Sequence, residues 1–236
     1  VIISARNIDK LNQLKVEIEK IEAKCIVIPA DVTKEEDIRQ MFLKATEGGR
    51  KLDVVVSNAG LGYIANIYEL TTKQIKEIID VNVTGMLMVS KFASEIMKRQ
   101  NFGHIILTSS LAGLITLPQW SVYVASKWAI TAFADCIRTE LMQFNINVTT
   151  IHPGAVKTEF FDKEKADIDI SKLGDAIEAS EVADAIYEVI FTNKRRVLIP
   201  AMTKNFALIY KFLPGLVESQ IDKMAKEVEY HTNIPE

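Results

Sequence analysis

Asp53-Val-Val-Val-Ser57 is a short apolar run that stops at Asn58-Ala-Gly60. A run of this length without polar alternation reads as a strand covered on both faces. Towards the C-terminus, residues 71–99 carry helical periodicity, with the Thr71 and Thr72 hydroxyls as candidate caps. Residues 104–109 then read as a strand, 121–143 as a helix, 147–151 as a strand, 180–192 as a helix and Arg196–Ile199 as a last strand. Towards the N-terminus, residues 1–5 read as a strand, 8–22 as a charged helix, 25–29 as a strand and 34–46 as a helix that Thr33 or Asp31 caps. This repeated strand–helix order predicts an α/β fold, a doubly wound parallel sheet with helices on both faces. No repeat or linker interrupts it, so residues 1–236 are read as one domain. Residues 155–180, polar and irregular, and the C-terminal extension 201–236 stand outside the alternation.

The bulk composition narrows the function. With 48% hydrophobic and 25% charged residues, 236 residues can bury a sizeable core. A net charge of −3 argues against nucleic acid as a partner. Cys25 and Cys136 match no metal or disulfide spacing. Both read as buried small hydrophobes in a reducing compartment, and no metal is expected. No apolar run reaches the roughly 18 residues of a membrane span, and no leader peptide is visible, so a cytoplasmic location is expected.

Tyr123 and Lys127 stand at i, i+4 near the start of a helix, about 6 Å apart along its axis. A phenol titrates near pH 10, and a neighbouring ammonium lowers that value towards useful acid–base chemistry. Alone, the pair is an ordinary helix-surface coincidence. Ser110 changes its weight, because it follows the strand 104–109 at the sheet end where open parallel sheets bind ligands. A hydroxyl there can share one carbonyl oxygen with Tyr123. Ser109 is the competing candidate, one residue off in spacing.

Together, Gly103-His-Ile-Ile-Leu-Thr-Ser-Ser-Leu-Ala-Gly113 and Tyr123-Val-Ala-Ser-Lys127 resemble the core of the short-chain dehydrogenase/reductase family. Asn58-Ala-Gly60, Asn82 in Asp80-Val-Asn-Val-Thr-Gly85, His152-Pro-Gly-Ala-Val-Lys-Thr158 and Asp31-Val32 match further family motifs in register, over residues 1 to about 160. The resemblance implies a Rossmann-like sheet and an oxidoreductase acting on carbonyl and alcohol groups. It implies Tyr123 as general acid/base, Lys127 as holder of the nicotinamide ribose and modulator of Tyr123, and Ser110 as the group that polarises the substrate carbonyl. Asn82 would distort its helix and hold a relay water. Asn58, Ala59, Gly60, Pro153, Gly154, Val156 and Thr158 would contact the cofactor, and Asp31 and Val32 its adenine.

Cofactor choice turns on the end of the first strand. An acidic residue there would bind the adenosine ribose of NAD. Ala5 stands there instead, followed by Arg6, whose guanidinium can pair with a 2′-phosphate; Ser4 adds a hydroxyl. NADP(H) is the expected cofactor and carbonyl reduction the expected direction. The family's glycine-rich turn, which cradles the pyrophosphate, is absent. With Val1-Ile2-Ile3 opening inside a strand, the reading expects a first strand, glycine turn and first helix, roughly 30 residues, to be missing ahead of Val1.

The substrate region is less specific. Residues 159–180 read as a lid with a solvated charged face, and Phe160, Phe161, Leu114 and Trp120 as candidate pocket walls. The segment 206–216 reads as packing on the body or a second subunit, with an interfacial membrane contact as the sharper alternative. Ile130, Phe133, Ile137 and Leu141 form one stripe, suited to the core or to the interface of a homodimer or homotetramer. Two competing functions are a catalytically silent NADP-binding regulatory protein and a sugar-nucleotide epimerase. The intact set of Asn82, Ser110, Tyr123 and Lys127 argues against the first, and the short C-terminal region against the second.

Overall fold

Every strand pairing in the computed structural model is parallel. The structure describes residues 1–158, 160, 176–215 and 218. The strands are β1 (Ile2–Ile3), β2 (Ile26–Val27), β3 (Val54–Ser57), β4 (Gly103–Thr108), β5 (Ile146–Pro153), β6 (Val156–Lys157), β7 (Ile177–Glu178) and β8 (Arg196–Ile199). The helices are α1 (Ile8–Lys20), α2 (Glu35–Thr46), α3 (Thr72–Ile79), α4 (Met86–Gln100), α5 (Ser121–Leu141), α6 (Ala179–Ile190) and α7 (Thr203–Phe212). Strands β3-β4-β5-β8 form the central sheet, while β1-β2 and β6-β7 are separate pairs.

The pleat explains the layers. Successive strand residues point to opposite faces. Ile105 and Leu107 of β4 join one core with α2, α4 and α5, whereas Ile106 joins another with Val182, Ile186 and Val189 of α6. Helices therefore cover both faces. The stripe Ile130, Phe133, Ile137 and Leu141 belongs to the first core, which accounts for its periodicity by burial.

Several expectations change. Among the described residues, no strand bridges β1-β2 and β3. Val56 of β3 is accordingly 41% exposed. The β1-β2 unit is held to the body by packing instead. α2 contributes Ile38 and Phe42 to the core shared with α4. A Cβ on Gly85 would lie 2.9 Å from Val32, so only glycine allows this approach. The predicted helix 71–99 is two helices joined by a π segment, Asp80–Gly85. Its Thr71 cap is present, as a capping box with Gln74. Neither Thr33 nor Asp31 caps α2: its N-cap is Lys34, without a side-chain bond, because the Asp31 carboxylate accepts from the Thr33 N–H and hydroxyl instead. Cys25 is buried, but Cys136 is exposed, on the solvent side of α5. The proposed lid lies largely outside the described residues, as do Phe161 and most of 216–236.

Candidate active site

Two hydroxyls at the end of β4 take different directions. Ser109 turns inward to α5: its buried Oγ donates to the Lys127 carbonyl at 3.1 Å and lies 3.1 Å from Thr131 Oγ1. Gly113 keeps this contact tight, since a Cβ there would meet Ser109 Oγ at 2.4 Å. The Ser110 Oγ accepts from the Ala112 N–H at 3.1 Å beside a cavity. Both serines line the cavity, but their side chains differ in partner: Ser109 Oγ is spent on α5, whereas the Ser110 side chain bonds Tyr123.

Tyr123 and Lys127 sit one turn apart on α5, both buried. The Tyr123 ring meets Trp120 and Phe160 edge-on, at centroid distances of 5.4 and 5.7 Å. Burial pushes its phenol up to about 12, while a hydrogen bond with the Ser110 side chain pulls the other way. Burial lowers the Lys127 ammonium to about 8. The sequence reading expected Lys127 to lower the Tyr123 value. Desolvation, which disfavours each charged form, sets the direction for both groups here, with the Lys127 nitrogen 5.6 Å from the ring centroid.

Lys127 Nζ donates to the Thr108 carbonyl at 3.0 Å. An ammonium carries three N–H groups, and this is its one hydrogen-bond partner among the described residues. A buried cation so sparsely paired calls for further acceptors. Gly60 lies beside it: a Cβ there would stand 3.5 Å from Lys127 Nζ and 3.4 Å from Asn82 Oδ1.

Asn82 is fully buried in the π segment. Its carboxamide pairs with the backbone of Leu61 as another strand would. Oδ1 accepts from the Leu61 N–H and Nδ2 donates to the Leu61 carbonyl, both at 2.8 Å. Nδ2 also donates to Ser126 Oγ at 3.0 Å, and Ser126 Oγ donates to the Tyr123 carbonyl at 2.7 Å. The turn at Asn58–Gly60, the π segment and α5 are thereby tied together.

One contributor was read in the sequence only as part of a motif. His152, fully buried on β5, sets its Nδ1 2.9 Å from the Ser110 carbonyl and its Nε2 2.8 Å from Thr150 Oγ1. A carbonyl can only accept, so Nδ1 carries the hydrogen and Nε2 receives the threonine hydroxyl. Burial lowers His152 to about 4, against the opposing Ser110 bond. His152 therefore fixes the backbone of Ser110 as a neutral imidazole. A ring placed two residues after Thr150 was the available signal, but its partner lies across the sheet.

The cavity measures about 590 Å³. Asn58, Gly60, Ser110, Tyr123, Lys127, Pro153, Gly154, Val156 and Thr158 all line it. Ala59 does not line it, nor do Ser4, Arg6, Asp31 and Val32, which lie on or beside the β1-β2 pair. Arg6 and Asp31 are nonetheless close: the Asp31 carboxylate is held below its usual range chiefly by the Thr33 N–H, and Arg6 adds to the effect. Trp120 and Phe160 line the cavity as expected, whereas Leu114 does not. Among the described residues no His, Cys, Asp or Glu cluster suits a metal. The under-paired ammonium, the close-approach glycine and the hydroxyl pair fit the ribose and carboxamide of a nicotinamide.

Residues 1–169 match the short chain dehydrogenase family. The chain is 32% identical to a farnesol dehydrogenase of Aedes aegypti over 199 residues, which cover 81% of this chain and 79% of that protein. It is 36% identical to retinol dehydrogenase 8 of Bos taurus over 134 residues, 57% of this chain and 42% of that protein. An alcohol dehydrogenase of Thermococcus sibiricus, solved with 5-hydroxy-NADP, superposes with a TM-score of 0.73 at 26% identity, covering 84% of each chain. A short chain dehydrogenase/reductase of Burkholderia phymatum, solved with NAD, shares the fold at a TM-score of 0.83 and 20% identity, over 91% of this chain and 85% of that one. Motifs, geometry and likeness agree: the chain belongs to the short-chain dehydrogenase/reductase family.

Proposed function

We propose that this protein is an NADP(H)-dependent oxidoreductase that interconverts a carbonyl compound and its alcohol, with Tyr123 as general acid/base. The convergence of Ser110, Tyr123 and Lys127 on one cavity carries this reading. Ser110 and Tyr123 hold the substrate oxygen between their hydroxyls. Lys127, Asn58, Gly60, Pro153, Gly154, Val156 and Thr158 hold the nicotinamide end, and Asn82 keeps the turn and α5 in register. When bound, the reduced nicotinamide supplies a hydride to the carbonyl carbon. As the C=O π bond breaks, Tyr123 Oη gives its proton to the oxygen and Ser110 stabilises the developing charge. A phenol near 12 is well suited to giving that proton only when charge has accumulated on the oxygen. The protonated Lys127 beside it favours the resulting phenolate.

Arg6, with Ser4, takes the adenosine 2′-phosphate, and Asp31 and Val32 flank the adenine. The lack of an acidic residue at Ala5 supports NADP(H) over NAD(H). The active species is a homodimer or homotetramer, for which the exposed Trp128 on α5 is a candidate contact. The test is turnover by the full-length protein with NADPH or NADH over a panel of aldehydes, ketones and alcohols. NADPH-dependent reduction is expected. Arg6→Ala should raise KM for NADPH about tenfold or more, the worth of one charge-assisted bond, and leave KM for NADH unchanged. NADH preference unaffected by Arg6→Ala would reject the cofactor assignment.

A further inference from the structure

We infer that the substrate's non-reacting part is an uncharged hydrocarbon chain, and that Val182, Ile186 and Phe206 set this preference; the inference rests on the oxidoreductase reading above. The cavity has two chemically distinct parts. Ser110 bonds Tyr123, and the Thr108 carbonyl and Gly60 adjoin Lys127. The remaining wall is apolar and comes from separate elements: Ile115, Leu117 and Trp120 before α5, Val182 and Ile186 on α6, and Phe206 on α7. Val182 and Ile186 are four residues apart, so one helix face serves the cavity. Tyr210, one turn beyond Phe206, bonds its hydroxyl to Thr116 Oγ1 at 2.7 Å and holds α7 across this end.

Charge is distributed one-sidedly. Lys127 is the one charged side chain among the described lining residues, and Thr108 O and Gly60 place it at the nicotinamide end. A substrate carboxylate or phosphate would therefore be buried against Ile186 and Phe206 with no counter-ion among the described residues of that wall. Along the wall of Ile115, Leu117, Val182, Ile186 and Phe206, the hydroxyls of a sugar or other polyol would meet no side-chain partner. A hydrocarbon chain loses nothing by leaving water and gains from each methylene buried. The reaction balances as before: the carbonyl carbon gains the hydride, its oxygen gains the Tyr123 proton, and the chain is unchanged.

The test is NAD(P)H-dependent reduction of straight-chain aldehydes of increasing length by the full-length protein. Aldehydes of equal length ending in a carboxylate provide the comparison. The expected kcat/KM rises about fourfold per methylene until the cavity is filled, and the carboxylates lag by about tenfold or more. Phe206→Arg should narrow that gap, while Phe206→Leu should keep the order. A flat length profile, with turnover abolished by Tyr123→Phe, would overturn the hydrocarbon inference and leave the oxidoreductase reading intact. Absence of all turnover would sink that reading. Titration of tryptophan fluorescence with decan-1-ol and butan-1-ol then decides the pocket: tighter binding of decanol supports the inference, and equal affinities overturn it.

Discussion

At the scale of single residues, burial sets the electrostatics of the site more than neighbouring charge does. Tyr123, Lys127 and His152 all shift in the direction that disfavours their charged forms. His152 has a consequence for stability. Its folded value near 4 lies below the ordinary 6.5, so its contribution is complete above pH 6.5 and is lost as pH falls towards 4. Between pH 7 and 5 this one residue should cost about 2 kcal/mol. His104 shifts in the same direction and adds to the loss. Urea unfolding at the two pH values checks this: His152→Gln should show a shallower loss than the wild type, and an equal loss would refute the assignment. The proposed catalytic residues were legible in the sequence because Ser110, Asn82 and Asn58-Ala-Gly60 stand in register with the Tyr123–Lys127 pair. The upward shift of Tyr123 was not legible, because its depth of burial depends on Trp120 and Phe160 packing from elsewhere.

At the scale of elements, the π segment Asp80–Gly85 is the joint of the site. An extra residue per turn aims Asn82 at Leu61 and lets Gly85 admit Val32. Asn82→Ala leaves the Leu61 N–H and carbonyl without these partners. The expected loss is about 2 kcal/mol, the lower end for two groups in a half-buried turn. Ser126→Ala, which removes a single hydroxyl from the same chain of bonds, should cost under about 1 kcal/mol. Urea unfolding of both variants checks the ranking, and equal losses would contradict it. The helix at 71–99 was legible from its periodicity and its Thr71 cap, but an apolar stripe continues across a one-residue insertion. Asn82 in mid-helix was the visible signal of the interruption. The start of α2 was misread for a related local reason: Asp31 spends its carboxylate on Thr33.

At the scale of the whole molecule, alternating strands and helices were enough to give a parallel α/β architecture. Strand order was not, because pairing depends on contacts far apart in sequence. Among the described residues, no strand joins β1-β2 to β3. In the proposed enzyme the two parts carry different roles. The β1-β2 unit carries Arg6 and Asp31, and the central sheet carries Ser110, Tyr123 and the loop after β5. Packing of α2 on α4 and of Val32 on Gly85 holds the two parts together. Apolar walls from α6 and α7 complete the cavity, and these were the least legible part, since nothing in the spacing of Val182 or Phe206 points to a site. The account depends above all on Tyr123 acting as the proton donor. The most direct measurement is kcat of Tyr123→Phe for NADPH-dependent carbonyl reduction, with NADPH binding followed by protein fluorescence. The account predicts that kcat falls by about 10²–10⁴-fold while NADPH still binds; a kcat within about threefold of the wild type would contradict it.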